Sequence, residues 1–163
     1  MEKKKKRKMK VEILDNTKKK KLIAQLENQY GISKLPYLVI RTGSDKYRIY
    51  SGNLSKEELK EIGKNTRLEL IGIKICKFDR ENIRLNFDAL NLPEIKKQIT
   101  KNIIEIDNNQ ADKFLKGESI ETTTNLKGYV VVKNKDDFIG MGKASADGKI
   151  ISNYIPKERR LKR

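Results

Sequence analysis

The chain has 163 residues, enough for one large domain or two small ones, and carries 38 Lys and Arg against 22 Asp and Glu, a net charge of +16. Apolar residues make up 36% of it, in no unbroken run near the roughly 18 a spanning helix needs, so a membrane-spanning role is excluded. One cysteine and no histidine remove disulfide frameworks, Cys/His zinc sites and imidazole catalysis.

The positive charge is concentrated at the ends. Residues 1–21 hold eleven basic and three acidic side chains, and residues 157–163 hold five and one. The body between is nearly balanced, so a strong polyanion-binding surface requires the ends to act together. The lysine run at 3–8 is not followed by the apolar core of a secretory signal, and a cytoplasmic location is expected. Two readings of this run stand: a solvated, disordered tail and a direct nucleic-acid contact. Only Met1 and Met9 are apolar among the first ten residues, which disfavours membrane attachment.

Past the tail, Val11 to Leu14 suggests a short strand. Asn16 or Thr17 is placed to cap a helix whose Leu22, Ile23, Leu26 and Tyr30 share one face, with Gly31 as its stop. Tyr37 to Arg41 and Tyr47 to Tyr50 read as strands joined by a hairpin loop over Thr42-Gly43-Ser44-Asp45. Ser55 and Glu58 form a capping box before Leu59 and Ile62, and Gly63 is expected to end that helix. Arg67 to Phe78 alternates over a long extended stretch with both faces covered, slipping at Leu70-Ile71. A turn at Asp79-Arg80-Glu81-Asn82 then leads to a strand with Ile83, Leu85 and Phe87. The resulting α-β-β-α-β-β order predicts helices on a small antiparallel sheet.

Asn91-Leu92-Pro93 breaks this pattern, and the sequence divides into a basic tail at 1–10, an α+β unit at 11–93 and a β-rich unit at 94–163. The last opens with a strand at Ile99 to Ile106 and a helix from Asn108 to Lys116 closed by Gly117. Gly128 to Val132, Phe138 to Gly142 and Lys149 to Ile151 follow as β segments, separated by turns at Asn134-Lys135-Asp136-Asp137 and Asp147-Gly148. A small barrel with one helix fits this spacing.

Three pieces in order carry a resemblance: Gln110-Ala111-Asp112-Lys113-Phe114-Leu115-Lys116-Gly117-Glu118, Lys127 to Val132, and Phe138-Ile139-Gly140-Met141-Gly142-Lys143. Together they resemble a PUA domain, the RNA-binding pseudobarrel of many RNA-modifying and ribosome-assembly proteins. The ending Ile151-Ser152-Asn153-Tyr154-Ile155-Pro156-Lys157-Glu158-Arg159-Arg160 is similar to that of the PUA-like domain in the Nol/Nop/Fmu (Sun) group, which includes RNA cytosine-5 methyltransferases. Through Tyr37 to Arg41, Lys46 to Tyr50, Leu70 to Phe78 and Ile83 to Leu90, the first unit resembles the pre-PUA domain of small ribosome-biogenesis factors that pair such a domain with a C-terminal PUA module. The resemblance implies an α+β protein, a sandwich-like pre-PUA domain followed by a PUA-like pseudobarrel, that binds RNA without catalytic machinery or cofactor.

RNA binding needs cations along a phosphate track. The expected contacts are Lys157 with the Arg159-Arg160 pair as anchors, then Lys113, Lys116 and Lys143, and Tyr154 as a base-stacking candidate that also reads as packing. Gly140 and Gly142 read as a barrel bend in preference to close approach of RNA. An enzyme is not expected: no glycine-rich loop follows a predicted strand to receive a methyl donor. The resembling methyltransferases use a cysteine in a Pro-Cys context, whereas Cys76 lies between Ile75 and Lys77 and reads as core. The expected role is therefore a non-enzymatic RNA-binding factor in rRNA maturation or ribosome assembly, with rRNA ahead of tRNA as partner. The alternatives are an in-trans substrate-binding subunit of an RNA methyltransferase and a tRNA-binding accessory protein.

Overall fold

A computed structural model describes residues 11–65, 71–80 and 82–162. The lysine run, the Arg67 to Leu70 part of the long alternating stretch, Glu81 and the terminal Arg163 lie outside the described residues. The fold is α+β, built on two five-stranded sheets.

The first sheet is formed by β1 (Val11–Ile13), β2 (Leu38–Thr42), β3 (Lys46–Tyr50), β4 (Ile73–Asp79) and β5 (Asn82–Leu85), adjacent in chain order and antiparallel throughout. Helix α1 (Asn16–Tyr30) buries Leu22, Leu26 and Tyr30 in the core that this sheet contributes to. Its cap is Asp15, not Asn16 or Thr17: the Asp15 carboxylate accepts from the Lys18 amide at 2.8 Å, while the two expected residues are already helical. Gly31 closes α1 at φ 88°, as expected.

Helix α2 (Lys56–Asn65) opens with the expected reciprocal box, Ser55 N to Glu58 at 2.7 Å and Glu58 N to Ser55 Oγ at 3.2 Å. Gly63 does not end it; a glycine inside a helix costs only about 1 kcal/mol, which the surrounding turns sustain. Among the described residues, the expected long strand is found from Ile73 onward, with Ile71 and Gly72 outside it. Gly72, at φ 66°, turns the chain so close to β3 that a Cβ there would stand 2.0 Å from the Ile49 carbonyl oxygen. Beyond that turn Ile73 is 42% exposed, so that end of the strand is not covered on both faces.

A 3-10 turn (Asp88–Asn91) and α3 (Pro93–Lys96) lead into the second sheet. Its members are β6 (Ile103–Glu105), β7 (Ile120–Glu121), β8 (Gly128–Asn134), β9 (Asp137–Ala144) and β10 (Ile150–Asn153), in the order β6-β8-β9-β10-β7, curled as a half-barrel. Strand β6 is shorter than the expected Ile99 to Ile106 because the preceding residues bind α1 instead. The Thr100 and Lys101 amides both donate to the Tyr30 carbonyl, and the Asn102 side chain donates to the Gln29 carbonyl at 2.7 Å. Helix α4 (Asn108–Leu115) carries a capping box between Asp107 and Gln110.

The buried run on β8 serves two cores. Tyr129 and Val131 join Met141 of β9 in the core shared with α1 and the first sheet, and Val130 and Val132 join Phe114, Ile151 and Ile155 inside the half-barrel.

Candidate nucleic-acid interface

The last described residues are strapped to the half-barrel. The Asn153 amide donates to the carbonyls of Phe114 at 2.6 Å and Glu118 at 3.0 Å, and the Leu161 amide donates to the Leu115 carbonyl at 2.9 Å. This path carries the chain past α4 toward the first sheet and distributes the expected RNA contacts into two groups.

The first group lies where the sheets meet. Lys143 holds its ammonium 5.0 Å from the centre of the Tyr129 ring and 3.7 Å from Asp79. Tyr154 packs edge-on against Tyr129 at 5.2 Å between ring centres, and its own ring lies 5.3 Å from the Arg84 guanidinium. Tyr154 is thus both packing and a cation-bearing face, half-buried at a surface. The Tyr129 hydroxyl donates to Asp79 at 2.7 Å; that bond, ahead of the Lys143 charge, holds the Asp79 carboxyl below the usual range. Arg159 reaches back to Asp88 at 2.9 Å with its guanidinium 5.9 Å from the Phe87 ring. It borders an open cleft of about 740 Å³ that Arg48, Lys74, Phe87, Asn91 and Leu92 also line.

The second group lies at the end of α4. Lys113 is exposed, Lys116 pairs with Asp112 at 2.6 Å, and Arg160 lies over Gly117, where a Cβ would stand 2.7 Å from the Arg160 Cδ. Arg160 donates from Nε to the Ile155 carbonyl at 3.0 Å. The structure therefore does not bring Arg159 and Arg160 to one place: one faces the cleft, and the other locks the chain end to α4. Lys157 is exposed at the start of the 3-10 turn (Lys157–Arg159) that leads to them.

Gly140 and Gly142 make room for close packing, and the register between β8 and β9 shifts beside Gly140. A Cβ at these positions would meet Ile155 at 2.6 Å and Ile151 at 2.3 Å, so the two glycines let β10 and the chain end close over β9. Cys76 is fully buried, and burial pushes its thiol up to about 12, leaving no thiolate nucleophile at neutral pH.

Sequence reasoning missed the cations of the first sheet. Lys74 is half-buried, and its ammonium is held below the usual lysine range by burial first and then by the repulsion of Lys46, Arg84, Lys77 and Arg48. The available signal was the alternation of basic and apolar residues at Lys46-Tyr47-Arg48-Ile49 and Ile83-Arg84-Leu85, which sends the cations to one face.

Among protein families, the description "methyltransferase RsmF PUA domain" matches residues 101–161, covering the second sheet, α4 and the strapped chain end. This stretch is a PUA domain. The match spans the Phe114 to Ile155 core and the stretch that holds Lys157, Arg159 and Arg160, and it agrees with the resemblance to the Nol/Nop/Fmu group. The first sheet lies outside the match, and no curated protein matches the chain. Among the described residues, no helix is long and apolar enough to cross a membrane.

Proposed function

We propose that this chain is a non-enzymatic RNA-binding factor acting in rRNA processing or modification and ribosome biogenesis. The observation that carries this reading is the PUA domain at 101–161, in which Lys143 and Tyr154 both lie against Tyr129 and Arg159 lies over Phe87. These side chains supply what RNA requires: an ammonium for phosphate, a guanidinium for bidentate contact and stacking, and an aromatic ring for a base. Each neutralised phosphate releases counterions, so the affinity of such a surface falls steeply with salt.

The test is an anisotropy titration of the full chain with a fluorescein-labelled stem–loop RNA over a range of salt. Replacing Lys157 and Arg159 together by Ala is expected to weaken binding severalfold and to flatten the slope of log affinity against log salt by about 1.5. An unchanged slope removes both residues from the site. Arg160 is left in place because its guanidinium holds the fold.

The matched family is named for a methyltransferase, which favours one second reading: a detached substrate-binding subunit that presents RNA to a separate methyltransferase. In that role the same surface grips the RNA, and the partner supplies the chemistry.

A further inference from the structure

The first sheet carries a cationic face that the RNA site of the PUA domain leaves unused. Register places Lys46 opposite Lys77 and Lys77 opposite Arg84, one row across β3, β4 and β5. Arg48 stands opposite Lys74 in the row beside it. The alternate residues Tyr47, Cys76 and Leu85 turn to the α1 side and join the core.

The five cations differ in what holds them. Lys77 meets Asp45 at 3.3 Å, and Arg48 donates to the carbonyls of Ile71 at 2.7 Å and Gly72 at 2.8 Å, pinning the turn into β4. Arg84 leans on the Tyr154 ring of the PUA domain. Among the described residues, no carboxylate pairs with Lys46, Lys74 or Arg84. Like charges directly opposite one another weaken a sheet, so five cations left together over three strands suit an anionic partner that compensates them.

We propose that this face is a phosphate track continuing the RNA site of the PUA domain, so that one RNA strand passes from Lys143 and Tyr154 over Arg84 onto the two rows of β3 and β4. The cleft bordered by Arg159 and Lys74 lies beside this path. Adjacent strands lie about 4.8 Å apart, and flexible lysine stems on such a lattice can follow successive phosphates. The inference rests on the RNA reading of the PUA domain and names where that RNA goes next.

A bilayer is the weaker occupant. Membrane surfaces favour apolar side chains interleaved with the cations, and of the exposed large apolar residues Leu54, Ile73, Ile150 and Leu161, Ile73 alone lies on these strands. The face also runs into a concave cleft, which a flat lipid surface does not fill.

The test uses the full chain, the same labelled stem–loop RNA extended by a single-stranded arm, and two variants of equal charge loss. One is Lys46→Gln with Lys74→Gln on the cationic face. The other is Lys20→Gln with Lys21→Gln, both exposed on α1, which packs on the opposite side of the sheet. The face variant is expected to bind about tenfold more weakly with a salt slope shallower by about 1.5, while the α1 variant matches wild type. Lys46→Arg with Lys74→Arg is expected to restore both affinity and slope, which separates lost charge from lost folding.

If wild type binds and the face variant matches it in affinity and slope, the track is wrong and the PUA site stands. Equal losses in the two glutamine variants reduce the effect to net charge and also overturn it. If wild type itself shows no binding to the RNA, the reading of the PUA domain fails as well. Loss of binding to phosphatidylserine vesicles by the face variant, with RNA binding unchanged, assigns the face to lipid instead.

Discussion

Arg159 and Arg160 share chemistry and differ in consequence because one bond separates their fates. Arg159 spends its guanidinium on Asp88, a pair half open to water, and such pairs contribute about 1 kcal/mol or less. Arg160 covers Gly117 with its stem and donates Nε to the Ile155 carbonyl, holding the chain end across α4. Thermal unfolding of single variants separates the two roles. Arg160→Ala is expected to lose about 1–2 kcal/mol through the hydrogen bond and the packing of its half-buried stem, with a lower midpoint, while Arg159→Ala stays close to wild type. Equal midpoints for the two variants would deny Arg160 its role as a strap.

At the scale of elements, the contact between Asp79 at the end of β4 and Tyr129 on β8 ties one sheet to the other. Since hydrogen bonding to Tyr129 lowers the Asp79 carboxyl in the folded protein, its stabilising effect is complete above the unfolded aspartate value, near 3.9. The effect is lost as pH falls through the lowered folded value. The stability gap between wild type and Asp79→Asn is therefore expected to be open at neutral pH and to close below about pH 4, measured by urea unfolding at each pH. A gap that persists unchanged into strong acid would detach Asp79 from this linkage. That bond joins residues fifty apart in sequence, and nothing local announces it. Elements whose cause is local were legible: the Ser55–Glu58 box, the Gly31 stop, the β2–β3 hairpin and strands β8, β9 and β10 of the half-barrel. Where a distant partner decides, the pattern misled, as at β6, whose approach is captured by the Tyr30 carbonyl, and at Gly72, turned by its packing on Ile49. The site divides in the same way. C-terminal cations were visible as a run of charge, but the cationic rows of the first sheet exist only once the register of β3, β4 and β5 is set.

For the whole molecule, the decisive feature is that the PUA domain does not bury both faces of its own sheet. Tyr129, Val131 and Met141 turn away from the half-barrel and are buried in the core that holds Tyr30, Ile83 and Leu85. Fully burying a large apolar side chain contributes about 1.5–3 kcal/mol, so uncovering three of them costs about 5–9 kcal/mol. That is comparable to the entire stability of a small domain. The chain passes from the first sheet to the second between Leu85 and Ile103, and the core that both sheets share predicts joint folding. Urea unfolding of the full chain, followed by far-ultraviolet circular dichroism and by tyrosine fluorescence, is expected to give one coincident transition. A fragment of residues 94–163 is expected to lack that transition and the dispersed amide spectrum of a packed core. Two separated transitions, or a fragment as stable as the full chain, would show that Tyr129, Val131 and Met141 do not need the first sheet and that the two units associate only loosely.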